Sequence, residues 1–252
     1  MAGRTLKHRL EGGESVVGTF VGIPSPIVAE AAVLAGLDFA VIDQEHGPVS
    51  AETALSMCAS TQQAGGAPIV RVRGNDQPEI QRALDVGAAG VQVPQVETRA
   101  DAEAAADAAR FAPTGTRGLN PYVRAGEYGG TPDYTDEQNE ETLLIVHVEG
   151  EAGLDNVDDI LAVDGIDVIF LGPYDLSQAL GVPGDVTADV VVDTMEDVRQ
   201  RAAEAGKIVG AYADTPAIAS EWFDVGVQYV TVSVDCAILE GAFADVADAV
   251  DR

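Results

Sequence analysis

Two patterns of hydrophobic and polar positions take turns along the chain. Short runs rich in Val and Ile are each followed by a turn and then by a longer amphipathic stretch rich in Ala, Glu, Asp and Leu. This order is typical of βα units, in which parallel strands alternate with helices. It predicts strands over residues 16–21, 39–43, 68–73, 90–96, 142–149, 167–172, 207–213 and 228–234. It predicts helices over residues 26–35, 51–64, 77–86, 99–110, 154–163, 188–205, 216–225 and 238–250.

Eight βα units in 252 residues predict an α/β fold, a TIM (β/α)8 barrel formed by residues 1–252 as a single domain. The alternative is a doubly wound sheet, but the first strand-to-helix turn, residues 21–25, lacks the Gly-x-Gly-x-x-Gly pattern that binds dinucleotides. Residues 111–141, between the fourth helix and the fifth strand, form one long irregular segment rich in Gly, Pro and Tyr. We expect this segment to be functional or to form an oligomer contact.

The charge of the chain narrows its possible partners. With 42 acidic and 14 basic side chains, the formal net charge is −28. Such a surface repels nucleic-acid phosphates and anionic lipids, so we expect neither nucleic acid nor membrane as a partner. The only lysines are Lys7 and Lys207. Strong acidity with few lysines indicates a halophilic protein, in which salt screens the self-repulsion; the alternative is an unusually acidic protein from an ordinary source.

The chain shows no sign of export and no disulfide framework. It contains no apolar run long enough for a membrane span, and its first residues lack the apolar region of a signal peptide, so we predict a cytoplasmic protein. Cys58 and Cys236 are isolated, which predicts two small core residues rather than a disulfide or a metal site.

Candidate chemistry is sought at the carboxyl ends of the strands, where barrels of this kind place their reactive groups. Glu149 and Asp175 follow consecutive predicted strands, so their carboxylates can converge. Paired carboxylates suit a hard divalent ion such as Mg²⁺ or Mn²⁺. Each acid could equally cap the helix that follows it, and the sequence leaves both interpretations open.

Three further residues are candidates for a role beside these acids. His46 follows the second strand, where an imidazole could act as a general base or could be purely structural. Asp85, at the end of the third helix, could orient it. His147 shares a strand face with Glu149 and, if Glu149 binds a metal, could contact this carboxylate from the side away from the ion.

The basic residues bear on the type of reaction. Arg71 and Arg73 alternate on the third strand, so both are expected in the barrel interior or mouth. A buried cation needs an anion, which could be a substrate carboxylate, an enolate or a neighbouring acid. Lys7 and Lys207 fall at the opposite end of the barrel, which argues against an imine-forming aldolase. Acids after the last two strands argue against a phosphate site, so an unphosphorylated acid is the expected substrate.

Six segments together resemble the HpcH/HpaI aldolases, and the resemblance covers nearly the whole chain in order. The segments are residues 41–48 (VIDQEHGP), 68–71 (PIVR), 84–88 (LDVGA), 115–118 (GTRG), 146–149 (VHVE) and 170–177 (FLGPYDLS). These are class II pyruvate aldolases, which include 2,4-dihydroxyhept-2-ene-1,7-dioate and 2-keto-3-deoxy-sugar-acid aldolases. The resemblance implies a lyase that reversibly cleaves a 4-hydroxy-2-keto acid to pyruvate and an aldehyde. It also implies a divalent metal (Mg²⁺, Mn²⁺ or Co²⁺) and a homohexamer in which neighbouring subunits exchange the last helix.

The resemblance implies roles for the matching residues. Glu149 and Asp175 would hold the metal, which binds the keto oxygen and carboxylate of pyruvate. Arg71 would stabilise the enolate oxygen. His46, paired with Asp85, would be the base.

The remaining implied contacts concern substrate binding, and here the chain departs from the family pattern. The backbone amides of one turn would bind the pyruvate carboxylate; this turn comprises Gly172, Pro173, Tyr174 and Asp175. Arg117 would face the aldehyde. Family members usually carry Gln at the position of His147 and Gly at that of Gln44. His147 could therefore alter the metal preference or add a ligand, and both side chains could contact the metal ligands from outside. Tyr174 replaces a smaller residue and would narrow the pocket.

Two rival functions remain at this point. A CoA-thioester lyase of the citrate lyase β or malyl-CoA type shares the superfamily and a carboxylate-bound metal, but those chains are longer and this sequence shows no basic patch for a nucleotide phosphate. A catalytically silent, metabolite-binding barrel is the other alternative. The coincidence of His46, Arg71, Glu149 and Asp175 at strand ends argues against it.

Overall fold

A computed structural model describes residues 5–250 and confirms the closed barrel. Eight parallel strands pair in sequence order, and the first pairs with the last. The strands are β1 (Val16–Val21), β2 (Phe39–Asp43), β3 (Ala67–Arg71), β4 (Gly90–Val93), β5 (Leu143–His147), β6 (Val168–Leu171), β7 (Ile208–Ala213) and β8 (Tyr229–Val234). The domain boundaries stay a prediction.

Twelve α-helices are described between residues 5 and 250. They are α1 (Leu6–Glu11), α2 (Pro26–Leu34), α3 (Ala51–Gln63), α4 (Gln77–Asp85), α5 (Arg99–Ala109), α6 (Tyr134–Glu141), α7 (Glu151–Asp155), α8 (Val157–Leu161), α9 (Pro173–Ala179), α10 (Asp189–Glu204), α11 (Pro216–Asp224) and α12 (Asp235–Asp248). The sequence pattern did not predict α1, α6 or α9, and the helix predicted over residues 154–163 is divided at Asn156. Short helices such as α9 contain too few turns to show a clear periodicity.

Alternate residues of the strands fill the barrel interior, as the two-residue repeat of a strand requires. The interior cluster includes Val16, Phe20, Phe39, Val41, Ile69, Leu143, Ile145, Val168, Phe170 and Tyr229. Leu6 and Leu10 of α1 join this cluster, so α1 closes the amino-terminal end of the barrel. One step further along the same alternation, at the carboxyl ends, lie Asp43, Arg71 and His147. The polar layer that forms the barrel mouth therefore rests on an apolar interior.

The prediction that Arg73 shares the interior face with Arg71 is wrong. Strand β3 ends at Arg71, and the side chain of Arg73 is 64% exposed and pairs with Glu79 at 2.7 Å. The alternation of side chains ends where the strand pairing ends. Arg71 is therefore the arginine that β3 contributes to the barrel mouth.

The long segment over residues 111–141 lies at the amino-terminal end of the barrel. It connects the end of α5 with the start of β5 and contains α6 and a 3₁₀ helix (Arg124–Gly126). Because helices of a barrel return the chain to the amino ends of the strands, this segment lies opposite the mouth. A role in oligomer contacts stays a prediction.

The lysines and cysteines are placed as follows. Lys7 pairs with Asp167 at 2.8 Å, and Lys207 Nζ donates to main-chain carbonyls that precede β6, so the prediction that both lysines lie at the amino-terminal end is confirmed.

Cys58 is buried, and burial raises its pKa to about 12. Cys236 is exposed, contrary to the prediction of a core residue, because it lies in the first turn of α12, of which Asp235 is the one residue described as buried.

No helix within residues 5–250 combines the length and the apolar character that crossing a membrane requires. The cytoplasmic location and the adaptation to high salt stay predictions.

Candidate active site

A buried ion pair between neighbouring strands forms the floor of the barrel mouth. Asp43 and Arg71 lie directly opposite each other in the β2–β3 register. Nε of Arg71 donates to Oδ1 of Asp43 at 2.9 Å, and Nη2 donates to Oδ2 at 2.7 Å. The guanidinium also lies 4.4 Å from the centre of the Phe20 ring. Both charged groups are thus held rigidly, with the geometry of a bidentate pair.

Glu45 binds the remaining nitrogen of the same guanidinium. Its Oε2 lies 3.1 Å from Nη1 of Arg71 and 3.8 Å from Nε2 of His46. Burial raises the pKa of Glu45 despite the opposing charge of Arg71. For Asp43, burial would also raise the pKa, but the hydrogen bonds and charge of Arg71 outweigh it and the pKa is lowered. The 3.8 Å distance makes Glu45, rather than Asp85, the carboxylate next to the His46 ring within one chain.

The carboxylates of Glu149 and Asp175 converge on one glycine. A Cβ atom built on Gly172 would lie 3.2 Å from Oε2 of Glu149 and 3.6 Å from Oδ2 of Asp175. Burial and the charge of Glu149 raise the pKa of Asp175, as expected for two acids that face each other. The missing side chain of Gly172 leaves the space between the two acids open.

Glu149 is held in place by two neighbouring groups. Nδ1 of His147 lies 2.9 Å from Oε2 of Glu149, and the backbone N–H of Gln95 donates to Oε1 at 3.0 Å. Gln95 adopts the left-handed φ of 56°, an uncommon conformation for a residue other than glycine. His147 is itself fixed by the side chain of Gln92 and by stacking on Phe170, with ring centres 4.6 Å apart. His147 thus lies directly behind Glu149.

These groups line one cavity of about 390 Å³ at the barrel mouth, which we call the central chamber. The predicted site residues in its wall are His46, Arg71, His147, Glu149, Gly172, Pro173, Tyr174 and Asp175. Tyr174 forms one side, where its hydroxyl donates to Asp214 at 2.9 Å and its ring contacts that of Tyr212 with centres 6.0 Å apart. The structure thus brings together the metal, enolate and turn residues expected from the sequence.

Three predicted residues lie elsewhere. Oδ1 of Asp85 accepts a hydrogen bond from Arg117 at 2.8 Å, and the Arg117 side chain is fully buried. Because Asp85 ends the helix that leads into β4, this pair lies at the amino-terminal end, away from the central chamber. Within one chain, therefore, Asp85 does not pair with His46 and Arg117 does not face the chamber. The side chain of Gln44 donates to the carbonyl of Val49 at 3.3 Å and supports the loop.

Asp43, Glu45 and Gln92 belong to the site but were not among the predicted site residues. The alternation along the strands could have identified two of them, because Asp43 follows Phe39 and Val41 on the inward face and Gln92 is polar at an interior position of β4. Glu45 lies in a loop, where no such periodicity applies.

The donor set fits a hard divalent ion. Glu149 and Asp175 offer carboxylate oxygens on the two sides of an open space. In the part of the chain that the structure describes, no group of three or more His, Cys, Asp or Glu side chains could hold a metal ion. An ion bound by two carboxylates, with water and substrate as its other ligands, matches the preference of Mg²⁺ for few protein ligands.

Comparison with known proteins shows which family the chain belongs to. A family model described as HpcH/HpaI aldolase/citrate lyase matches residues 17–239. The chain belongs to the HpcH/HpaI aldolase/citrate lyase family. Its members are generally dependent on a divalent metal.

Individual members of the HpcH/HpaI family resemble the chain over nearly its whole length. A hydroxypyruvate/pyruvate aldolase of Deinococcus radiodurans is 35% identical over 239 residues, which is 94% of this chain and 86% of that protein. A 5-keto-4-deoxy-D-glucarate aldolase of Salmonella paratyphi C is 35% identical over 243 residues, or 96% and 95% of the two chains. A solved HpcH/HpaI aldolase/citrate lyase family protein from Burkholderia cenocepacia is 35% identical, covers 96% of this chain and 97% of its own, and has a TM-score of 0.92. The predicted family is confirmed, and the chain is an enzyme of the pyruvate-aldolase type, a carbon–carbon lyase.

Proposed function

We propose that this HpcH/HpaI enzyme reversibly cleaves a 4-hydroxy-2-keto acid to pyruvate and an aldehyde. The observation that carries the proposal is the convergence of Glu149 and Asp175 on Gly172 in the same chamber as Arg71. When the C3–C4 bond of such an acid breaks, its electron pair stays on the pyruvate fragment as an enolate. Groups that stabilise this negative charge lower the barrier.

Arg71 is suited to the enolate oxygen. Of the five N–H groups of a guanidinium, its contacts with Asp43 and Glu45 use three, which leaves two for the substrate. The bidentate pair with Asp43 fixes the plane of the guanidinium, so these donors need not reorient during the reaction.

The proton movements are assigned to His46. Its exposed ring takes the proton of the C4 hydroxyl as the C3–C4 bond breaks and the aldehyde carbonyl forms. The protonated His46 then gives this proton to C3 of the enolate, which yields pyruvate and restores the base. Oε2 of Glu45 lies 3.8 Å from Nε2 of His46, so Glu45 is the carboxylate next to this base.

Glu149 and Asp175 would hold the metal, which we propose to be Mg²⁺, Mn²⁺ or Co²⁺. When bound, the ion supplies positive charge next to the keto group. His147 and Gln92 keep the Glu149 carboxylate in position. The backbone N–H groups of the first turn of α9, which begins at Pro173, would bind the pyruvate carboxylate.

Proton NMR of pyruvate in D₂O tests this function without any aldehyde. With enzyme and Mg²⁺ or Mn²⁺, the methyl signal should disappear as deuterium replaces hydrogen at C3, because reversible enolate formation exchanges these protons. EDTA should stop the exchange, and added metal should restore it. If no divalent metal supports exchange, the proposed function is wrong.

The exposed apolar side chains of α12 support the proposal that the enzyme is a homohexamer with exchanged last helices. Asp235 is its one buried residue within the range that the structure describes. The exposed side chains are Ile238, Leu239, Phe243 and Val246. On α2, which follows the neighbouring strand β1, Ile27 is 74% exposed. Exposed apolar side chains clustered on one helix are typical of subunit contacts.

Light scattering on the purified chain should give six times the 26.1 kDa subunit mass. Phe243→Glu should dissociate this assembly, because it puts a charge into an apolar contact. Glu240→Gln, on the same helix, is the matched control and should leave the mass unchanged. A wild-type chain that is monomeric at micromolar concentration would contradict the proposal.

A further inference from the structure

A second cavity of about 390 Å³ lies beside the central chamber, and we call it the side chamber. The two chambers share His46, Glu149 and Asp175 as a common wall. The side chamber extends towards the loops after β4 and β5, where Glu97 and Glu151 line it. An aldehyde whose carbonyl lies beside His46 therefore has the side chamber available for the rest of its atoms.

Acidic side chains dominate the wall of the side chamber. They are Glu45, Glu97, Glu149, Glu151 and Asp175. Within the described residues, no lysine or arginine lines this cavity, and His46 is its one basic side chain. The other polar lining groups are amides, Gln95 and Gln178, which can bind hydroxyl groups.

The positive charge near the chambers is already matched by protein carboxylates. All three nitrogens of Arg71 contact Asp43 or Glu45. The two charges of a divalent ion would be matched by Glu149 and Asp175. Among the described residues that line the chambers, no lysine or arginine is left without a carboxylate partner to bind a second carboxylate on the substrate, whereas Glu97 and Glu151 remain as excess negative charge at the rim. Their oxygens instead accept hydrogen bonds from hydroxyl groups.

We propose that the aldehyde partner is a neutral, hydroxyl-bearing aldehyde rather than one that carries a carboxylate. This inference rests on the proposed aldolase function. It distinguishes the expected substrate of this chain from 5-keto-4-deoxy-D-glucarate, the compound for which one relative is named. That compound has a carboxylate at both ends, so its cleavage to pyruvate releases an anionic aldehyde.

A matched pair of aldehydes tests the charge preference directly. With pyruvate and Mn²⁺ fixed, kcat/KM is measured for 4-oxobutanamide and 4-oxobutanoate, which have nearly the same shape and differ by one charge. Like-charge repulsion should favour the amide by about 10-fold at low ionic strength. Glyceraldehyde should be used better than either, because its hydroxyl groups supply the hydrogen bonds. The amide-to-carboxylate ratio should fall as the KCl concentration rises to about 2 M, where screening is strong.

Removal of the two acids at the rim of the side chamber should lower the ratio of kcat/KM for the amide to that for the carboxylate. The double variant Glu97→Gln with Glu151→Gln should lower the amide-to-carboxylate ratio at least about threefold, because it removes two charges near the aldehyde. Glu140→Gln, on α6 at the opposite end of the barrel, is the control and should leave the ratio unchanged.

Three results would overturn the inference: equal or better use of 4-oxobutanoate, a ratio that does not change with salt, or a ratio that the rim double variant leaves intact. Pyruvate exchange in D₂O is measured on every variant, because it needs no aldehyde. Exchange with a preference for the carboxylate would reject this inference alone. Absence of exchange would reject the proposed function itself.

Discussion

Arg71→Ala should slow metal-dependent deuterium exchange into pyruvate by about 100-fold to 1000-fold, the usual effect of removing one preorganised donor to a developing oxyanion. The two N–H groups of Arg71 that its protein contacts leave available are the donors lost. Exchange rates follow from the NMR methyl signal, with enzyme concentration corrected for the folded fraction.

The same substitution should also destabilise the protein. Asp43 is buried and would lose its bidentate partner, and breaking a buried pair on one side costs about 3–5 kcal/mol. Denaturant unfolding measures this loss. Since Arg71 lowers the pKa of Asp43 in the folded state, the stabilisation is present above the ordinary pKa of the carboxyl group and is lost as pH falls through the folded-state value. The destabilising effect of Arg71→Ala should therefore diminish in acid.

A double variant separates stability from chemistry. Arg71→Met with Asp43→Asn removes both charges and should recover much of the lost stability. The amide introduced by Asp43→Asn would keep an oxygen that can accept the N–H groups of Glu45 and His46. Exchange should stay as slow as in Arg71→Ala. If the double variant exchanged at the wild-type rate, Arg71 would not be the enolate donor.

Glu149→Gln should weaken Mn²⁺ binding by at least about 100-fold. Loss of a group that only supports a metal ligand weakens metal binding by up to about 100-fold, and Glu149 would itself be a ligand. One of the two carboxylates that converge on Gly172 would become a neutral amide. The free Mn²⁺ signal in electron paramagnetic resonance measures affinity without reference to activity. Pyruvate exchange should fall in parallel and should be poorly rescued by extra metal.

Glu151→Gln is the matched control for this experiment. It removes the same charge two residues further along the chain, from a side chain at the rim of the side chamber. Mn²⁺ affinity should change little, because Glu151 does not face Gly172. Equal affinity of the Glu149→Gln variant and the wild type would place the metal elsewhere and end the proposed ligand assignment.

The residues at the mouth differ in how far local sequence could predict them. Glu149 and Asp175 follow consecutive strands, and the carboxyl ends of parallel strands meet at one edge, so their proximity followed from topology. The partner of Arg71 did not follow from topology, because the sequence allowed a substrate carboxylate, an enolate or a neighbouring acid. The β2–β3 register places Asp43 opposite Arg71, and register depends on the packing of both strands.

Asp85 and Arg117 are the two predicted catalytic and aldehyde-facing residues that a single chain does not bring to the central chamber. Family resemblance directed attention to both, yet the position of Asp85 at the end of a helix already indicated the amino-terminal side of the barrel. Their mutual hydrogen bond, formed between α4 and the segment after α5, depends on the path of that long segment. No local pattern encodes such a path.

The amino-acid sequence was sufficient to predict the alternation of strands and helices, the closed barrel, the family and the type of reaction. These features depend on side-chain repeats of two and 3.6 residues and on short motifs, all of which are encoded within a few neighbouring positions. The folded structure was needed to show that Asp43 and Glu45 hold Arg71, that two carboxylates meet over Gly172, and that acids line the side chamber. These contacts join residues from different strands and loops, so they depend on register and on the packing of the whole barrel.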